Sequence, residues 1–491
     1  MTKQRVAIKQ LPTGVPGLDA VLGGGIPEYS FNLIAGEPGG GKTTLAHQLV
    51  FANATPERPA LYFTVLGEPA VKMLRYQQQN TFFDPDRIGD AIRFVNLSDE
   101  VSEHGLGGVL ERIVKEVEES SPGLVVVDSF RTALRTNLDA PVGERDLRVF
   151  VQRLALHLTT WQATSFLVGE YMQAERESDP VFTIADGILW LSQAADRNSV
   201  VRKLQVVKVR GQGHMPGLHT FKMTDAGLRV FPRISLPVEE EDRATPRGRV
   251  STGVAGVDEM MGGGIPRGDS VLVTGPSGSG KSVLATQFIA EGVRQGEPGV
   301  LVVFEEHPKE YIHRAGGLGF PLQKMIKQGM LEVMYLRPLD LSPDETLFEI
   351  REAAERVGAK RVVIDSMSGF EMALAPTFRT DFRESLYRLV GALTGVGITV
   401  LTTMEIVQDQ TEMRFTPNVI SFLADDLVLL RYCEIDRTMK KVVAVAKMRG
   451  SQHSKEFRQY EITRHGFEVG GSLEGFRGSI SGAPYLTTAT E

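Results

Sequence analysis

Two stretches of this 491-residue chain have the residue types and spacing to hold a polyphosphate. Gly36-x4-Gly41-Lys42-Thr43 and Gly275-x4-Gly280-Lys281-Ser282 both follow G-x4-G-K-[ST]. In such a loop small residues let the backbone N–H groups turn inward onto phosphate oxygens. Here these are Gly36, Gly39, Gly40 and Gly41, and in the second copy Gly275, Ser277, Gly278, Ser279 and Gly280. Lys42 and Lys281 would span the β and γ phosphates and take part in catalysis. The hydroxyl of Thr43 or Ser282 would ligate Mg²⁺. Thr44 and Val283 follow at the start of a helix whose positive dipole end faces the anion. The bland alternative is a Gly-rich turn without a ligand. Two copies, each between a predicted strand and a predicted helix, argue against it.

The metal also needs a carboxylate, and Leu124–Asp128 (LVVVD) and Arg361–Asp365 (RVVID) are apolar strands that end in one. Phosphoryl chemistry further needs a base to orient the attacking oxygen. The second half offers Glu305 and Glu306, just before His307-Pro308, and Glu305 also stands within reach of a metal. The first half reads Val65-Leu66-Gly67-Glu68-Pro69. With the prolines aligned, Leu66 and Gly67 stand opposite Glu305 and Glu306. Glu68 is one residue out of step, and a one-residue slip at a strand end turns a side chain away. The first half is therefore expected to bind ATP and to hydrolyse it poorly or with another base.

The elements that position these residues come twice. Thr13–Pro27 (TGVPGLDAVLGGGIP) recurs as Thr252–Pro266 (TGVAGVDEMMGGGIP), an offset of 239 residues. The same offset carries the first phosphate loop onto the second, Lys208–Gly211 (KVRG) onto Lys447–Gly450 (KMRG), and His214 onto His453. A whole domain of about 235 residues is duplicated. In the first half Phe31–Ala35, Ala60–Val65, Ile92–Leu97, Leu124–Asp128 and Ser165–Gly169 read as buried strands. Lys42–Asn53, Gly107–Ser120 and Glu144–Thr160 read as helices. Ser270–Thr274, Val300–Phe304, Arg361–Asp365 and Ile398–Thr403 repeat the pattern. Near-continuous apolar strands separated by helices predict an α/β fold with a mainly parallel sheet covered on both faces. Each half ends in β-rich hairpins, Gly187–Ser192 with Val200–Val209 and Asp426–Tyr432 with Lys441–Lys447. Pro237–Arg249 reads as a charged linker and the stretch after Gly470 as a loosely ordered tail. The expected domains are 1–240, 250–470 and a short tail, 471–491.

Composition removes several classes. The net charge of −7 argues against nucleic acid as a main partner. One cysteine, Cys433, allows no disulfide within the chain and fits a reducing cytoplasm. The N-terminus has no apolar leader, and no run reaches the ~18 apolar residues of a membrane span.

Taken together, the doubled TGxxGxDxxxGGGIP, the two loops, the Glu305–Glu306 pair and the doubled K-x-R-G resemble the KaiC family of tandem RecA-like P-loop ATPases. The resemblance runs from about Thr13 to about Pro484. It implies two RecA-like domains in a homohexamer of two rings, with ATP and Mg²⁺ between adjacent subunits. Lys208, Arg210 and His214 match positions that reach a neighbour's nucleotide in the first ring. Lys447, Arg449, Ser451, His453 and Lys455 match them in the second. Positive groups supplied across an interface stabilise a transferring phosphoryl group. The family's second domain phosphorylates itself on adjacent Ser and Thr. In the matching segment Thr416–Asp426, Ser421 takes the Ser position and Phe422, which accepts no phosphate, takes the Thr position. The long tail through which the clock protein recruits KaiA has no counterpart beyond Tyr485–Glu491, so KaiA is not an expected partner, whereas a KaiB-like one is compatible. The expected function is a Mg²⁺-dependent ATPase and Ser/Thr autokinase in timing or stress signalling. The alternatives are a nucleotide-switched scaffold and, last, a RadA-like DNA-repair ATPase, which would need a DNA-binding loop that the sequence does not offer.

Overall fold

The computed structural model describes residues 8–65, 70–129, 144–176, 179–196, 199–233, 248–336, 341–375, 378, 382–406, 424–435, 438–472, 476–477 and 485–486. The chain divides into two compact units, Met1–Arg233 and Ile234–Glu491.

In the first unit the elements run β1 (Phe31–Gly36), α1 (Lys42–Asn53), β2 (Ala60–Thr64), β3 (Ile92–Asn96), α2 (Ser98–Ser120), β4 (Leu124–Asp128), α3 (Glu144–Thr160), β5 (Thr164–Glu170), β6 (Gly187–Asp196), β7 (Ser199–Val209), β8 (His219–Thr224) and β9 (Gly227–Phe231). They form a nine-stranded sheet in the order β9-β8-β7-β6-β1-β5-β4-β2-β3. From β6 to β3 the neighbours are parallel. From β6 to β9 the sheet continues in antiparallel hairpins.

The second unit repeats this with β10 (Ser270–Gly275), α4 (Lys281–Arg294), β11 (Gly299–Val303), α5 (Pro308–Gly317), β12 (Leu331–Tyr335), α6 (Pro343–Val357), β13 (Arg361–Asp365), α7 (Phe382–Gly395), β14 (Thr399–Glu405), β15 (Asp426–Ile435), β16 (Thr438–Met448), β17 (Arg458–Thr463) and β18 (Gly466–Ser472). Its order, β18-β17-β16-β15-β10-β14-β13-β11-β12, is that of the first sheet. The expected architecture of two RecA-like α/β units, each with a mainly parallel sheet and C-terminal hairpins, is the one observed.

The period-two alternation of the strands explains why both faces must be covered. Ile34, Val126 and Val168 pack with Leu45 and Leu49 of α1 on one face. Leu33, Val125 and Leu167 pack with Ile113 of α2 and Leu154 of α3 on the other. In the second unit Val273, Leu301 and Val363 meet Leu284 and Phe288 of α4. There Leu272, Val302 and Ile364 meet Ile350 of α6 and Leu386 of α7. Each such side chain, fully buried, contributes about 1.5–3 kcal/mol. The loops at the strand ends are thus held by a stiff sheet.

Four details differ from the sequence expectation. The helix expected from Gly107 begins at Ser98, with Gly105 at φ 62° interrupting its regular geometry. The last parallel strand of the second unit runs to Glu405 because all six residues Ser270–Gly275 find partners along it. Arg249, read as linker, is in a short ladder with Ile265–Pro266. Its guanidinium satisfies the carbonyls of Met261 and Gly264 at 2.8 and 2.6 Å, which holds it in the domain. In the segment after Gly470 the described residues include a strand pair, Phe476–Arg477 with Tyr485–Leu486. Among the described residues no helix is long and apolar enough to cross a membrane.

Candidate nucleotide sites

Both phosphate loops leave the C-terminal end of the central strand and enter a helix at the lysine. Their backbones match. Gly39 and Gly41 have φ of 72° and 91°, and Gly278 and Gly280 have φ of 73° and 97°. Only glycine adopts this geometry without strain, and it makes the inward nest of N–H groups that an anion needs. Gly40 closes the first loop through its N–H to Glu37 O at 3.2 Å. At Gly280 a Cβ would also come within 2.6 Å of Ile462. In the second loop Ser277, Gly278 and Val283 line the cavity. The Ser279 hydroxyl is buried with no hydrogen-bond partner among the described residues.

Both lysines fold back on their own loops. Lys42 Nζ donates to Glu37 O at 2.7 Å, and Lys281 Nζ donates to Gly275 O and Pro276 O, both at 2.9 Å. Burial pushes both ammonium groups below the usual lysine value, and nearby carboxylates pull them back up. A buried cation spending its donors on carbonyls is suited to exchange them for phosphate oxygens.

The carboxylates converge as the strands require. Asp128, at the end of β4, accepts from the Tyr62 hydroxyl at 2.7 Å. Burial pushes its carboxyl up, while hydrogen bonds from Tyr62 and Thr43 and the charge of Lys42 hold it down. Thr43 and Asp128, the residues expected to hold a metal, therefore touch each other. Asp365 accepts from Thr403 Oγ1 and lines with Ser282 a cavity of about 320 Å³. The peptide bond after each aspartate, to Ser129 and Ser366, is cis. Glu305 and Glu306 line the same cavity. Glu305 accepts from Ser366 Oγ at 2.6 Å. Glu306 pairs with Arg314 of α5, whose guanidinium lies 5.0 Å from the Tyr311 ring centroid. The donor set of hydroxyl plus carboxylate, all oxygen, suits Mg²⁺ in both units. Leu66, Gly67, Glu68 and Pro69 lie outside the described residues, as do Thr416, Ser421 and Phe422.

Two acids that the sequence reading did not single out belong to these sites. Glu170 ends β5 directly opposite Gly36, and Glu405 ends β14 directly opposite Gly275. They are the strongest carboxylate influences on Lys42 and Lys281, ahead of Asp128 and Asp365.

The K-x-R-G residues sit elsewhere. Arg210 pairs with Asp186 at 3.0 Å, and Asp186 accepts from the N–H of Phe31, the first residue of β1. Arg449 pairs with Asp425 at 3.3 Å, and Asp425 accepts from the N–H of Ser270, the first residue of β10. Lys208 and Lys447 donate to Thr183 O and Ala424 O nearby. These groups thus stand at the start of the strand whose other end carries the loop, about 16 Å away at ~3.3 Å per residue. They do not meet the phosphate loop of their own unit. Ser451 accepts from Arg249 at 2.9 Å. His214 and His453 are half-buried and Lys455 is exposed on the same turns.

Beside the second of these turns lies an acid pair, Asp426 buried and Asp269 half-buried. Asp426 is fully buried, with neither carboxylate oxygen hydrogen-bonded among the described residues. Burial and the neighbouring Asp269 and Asp425 push its carboxyl up to about 7, against the pull of Arg249 and the Arg449 backbone. Asp269 is pushed up to about 6. At the corresponding positions the first unit has Gly187 and Ser30, with the Asn32 amide donating to Ser30 and Ser165 in the space between.

The fold and the doubled loop-and-carboxylate arrangement define a tandem P-loop ATPase of RecA-like architecture. A family model described as "ATPase: KaiC" matches residues 11–235 and again residues 250–474. The chain belongs to that KaiC ATPase family. It is 29% identical to the circadian clock oscillator protein KaiC of Prochlorococcus marinus (strain MIT 9313), over 99% of this chain and 97% of that protein. It is 27% identical to the KaiC of Acaryochloris marina (strain MBIC 11017), over 100% and 94%. It is 28% identical to KaiC 1 of Synechocystis sp. (strain ATCC 27184 / PCC 6803 / Kazusa), over 99% and 94%.

Proposed function

We propose that each unit binds one Mg²⁺–ATP and that the second unit carries an ATPase and a Ser/Thr autokinase. The observation that supports this best is the convergence of Lys281, Ser282, Glu305, Glu306 and Asp365 on one cavity. The loop N–H groups and Lys281 hold the β and γ phosphates. Ser282 and Asp365 hold Mg²⁺, which when bound neutralises phosphate charge. Thr43 and Asp128 hold it in the first unit. Glu305, held by Ser366, and Glu306, held by Arg314, supply the carboxylates that orient the attacking oxygen and take its proton. When that oxygen is the Ser421 hydroxyl, the product is a phosphoserine.

The chain works as a cytoplasmic homohexamer. Lys208, Arg210 and His214, and Lys447, Arg449, Ser451, His453 and Lys455, lie too far from their own loops to serve them. They serve a neighbour's nucleotide. The names of the relatives, circadian clock oscillator proteins, support a role in timing, and a KaiB-like protein is the partner class that fits. A second reading, a nucleotide-switched scaffold, is favoured by Leu66 and Gly67 standing where the second unit has its glutamates.

Labelled ATP with Mg²⁺, followed by mass spectrometry, separates the two. Label on Ser421 that vanishes in Glu305→Gln/Glu306→Gln supports the autokinase. Phosphate release without protein label removes it. Nucleotide-dependent assembly with neither signal favours the scaffold.

A further inference from the structure

We propose that Glu170 is the catalytic base of the first unit, so that this unit hydrolyses ATP without the tandem glutamates. The proposal rests on the ATPase reading above.

Register supplies the first argument. β5 runs parallel to β1, and Glu170 is the Cα partner of Gly36, the residue with which the phosphate loop begins. Tyr171 N then donates to Gly36 O at 3.0 Å, which ties the residue after Glu170 to the start of the loop. A carboxylate here is set by two paired strands rather than by a mobile segment, the kind of support a catalytic group needs.

Charge supplies the second. Glu170 acts on Lys42 more strongly than Asp128 or Glu37 does, and it also acts on Asp128. Lys42, Asp128 and Glu170 are thus near enough to act on one another's charge. Asp128 is engaged with Tyr62 and Thr43. Glu37 lies within the loop, with its backbone carbonyl on Lys42. Of the carboxylates the structure describes around Lys42, Glu170 is the one placed beyond the loop on a neighbouring strand.

The second unit supplies the control. Glu405 holds the same register opposite Gly275, but there Glu305 and Glu306 are also present. The position is thus acidic in both units, while the first unit has Leu66 and Gly67 where the sequence of the second has its glutamate pair. In the proposed step the oxygen of a water forms a bond to the γ-phosphorus. The bond from that phosphorus to the β–γ bridging oxygen breaks, and its electron pair leaves on ADP. The water proton passes to the Glu170 carboxylate and from there to solvent, leaving hydrogen phosphate.

The test uses the full chain carrying Glu305→Gln/Glu306→Gln, with Glu170→Gln or Glu68→Gln added. Phosphate release and binding of a fluorescent non-hydrolysable ATP analogue are both measured. General-base catalysis contributes typically 10²–10⁴-fold, so Glu170→Gln should cut the remaining release by about 100-fold or more. Analogue binding should be retained, with any change in affinity, which loss of the charge beside Lys42 would cause, far smaller than the loss of release. Glu68→Gln should leave both readings within about threefold. Residual release that survives Glu170→Gln, or that falls only with Glu68→Gln, overturns the assignment. So does an active wild type whose Glu305→Gln/Glu306→Gln form releases nothing, which leaves the ATPase reading standing. A silent wild type overturns the ATPase reading itself.

Discussion

The Tyr62 hydroxyl donates to Asp128 Oδ2 at 2.7 Å, both groups buried. The second unit has Leu301 at the matching position and brings a hydroxyl in from another element. Tyr311 of α5 shares a 2.8 Å hydrogen bond with Thr286 on α4 and faces Asp365. Two copies of one fold thus surround the strand-end aspartate with phenol groups from different elements. Removing the hydroxyl leaves a buried carboxylate short of a donor, which costs about 1–3 kcal/mol. Tyr62→Phe is expected to lower the stability of the first unit by that amount in urea unfolding.

The acid pair Asp269–Asp426 gives the second unit a pH dependence that the first, with Ser30 and Gly187 there, does not share. Asp426 titrates near 7 in the fold against an ordinary value near 3.8. Between these values the folded state holds a proton that the unfolded state has released, so stability falls as pH rises through that window. It is highest below about 4, and the loss is complete above about 7. Asp426→Asn keeps the shape of the protonated form and cannot ionise. Thermal unfolding of the second unit from pH 5 to 8 should decline more steeply in the wild type than in Asp426→Asn. Equal slopes would show that Asp426 is ionised throughout.

Arg361 enters β13 with no exposed surface. It meets Glu297 at 2.7 Å and donates to the carbonyls of Ser251 and Phe288 at 2.8 and 3.0 Å. A Cβ on Gly292 would lie 2.5 Å from its Cδ, so α4 is shaped around it. Glu297 also binds Arg267. Breaking a buried pair from one side costs about 3–5 kcal/mol. Arg361→Leu should lower the stability of the second unit by that much in chemical denaturation, whereas Arg267→Leu, at the half-buried rim, should cost less.

Arg210 and Arg449 stand at the opposite strand end from their own loops, and the proposed hexamer has them serve a neighbour's nucleotide. Arg449→Ala should weaken ATP-dependent assembly about 10–100-fold, the value of one or two charge-assisted contacts. Nucleotide-dependent sedimentation checks this. Unchanged assembly would make these residues solvated hairpin charges.

The loops were legible because their glycines and lysines are dictated locally, by φ and by charge. The parallel sheet was legible because strands buried on both faces must be apolar throughout. Glu170 was not. A lone acid at a strand end signals nothing until register sets it beside Gly36, and its counterpart Glu405 is not 239 residues away, where Asp409 stands. Insertions between the repeats shift the comparison where the acid lies. The Asp269–Asp426 pair was hidden for a related reason, since two acids 157 residues apart meet only when β10 and β15 pair. The position of Arg449 at the far end of the strand likewise needs the hairpin register.

Two nucleotide sites in each chain are proposed. Equilibrium dialysis with a labelled non-hydrolysable ATP analogue and Mg²⁺ tests this on the wild type, Lys42→Ala, Lys281→Ala and the double variant. Two analogues per chain are expected in the wild type, one in each single variant and none in the double. One per chain in the wild type, with one of the two lysines dispensable, would contradict it.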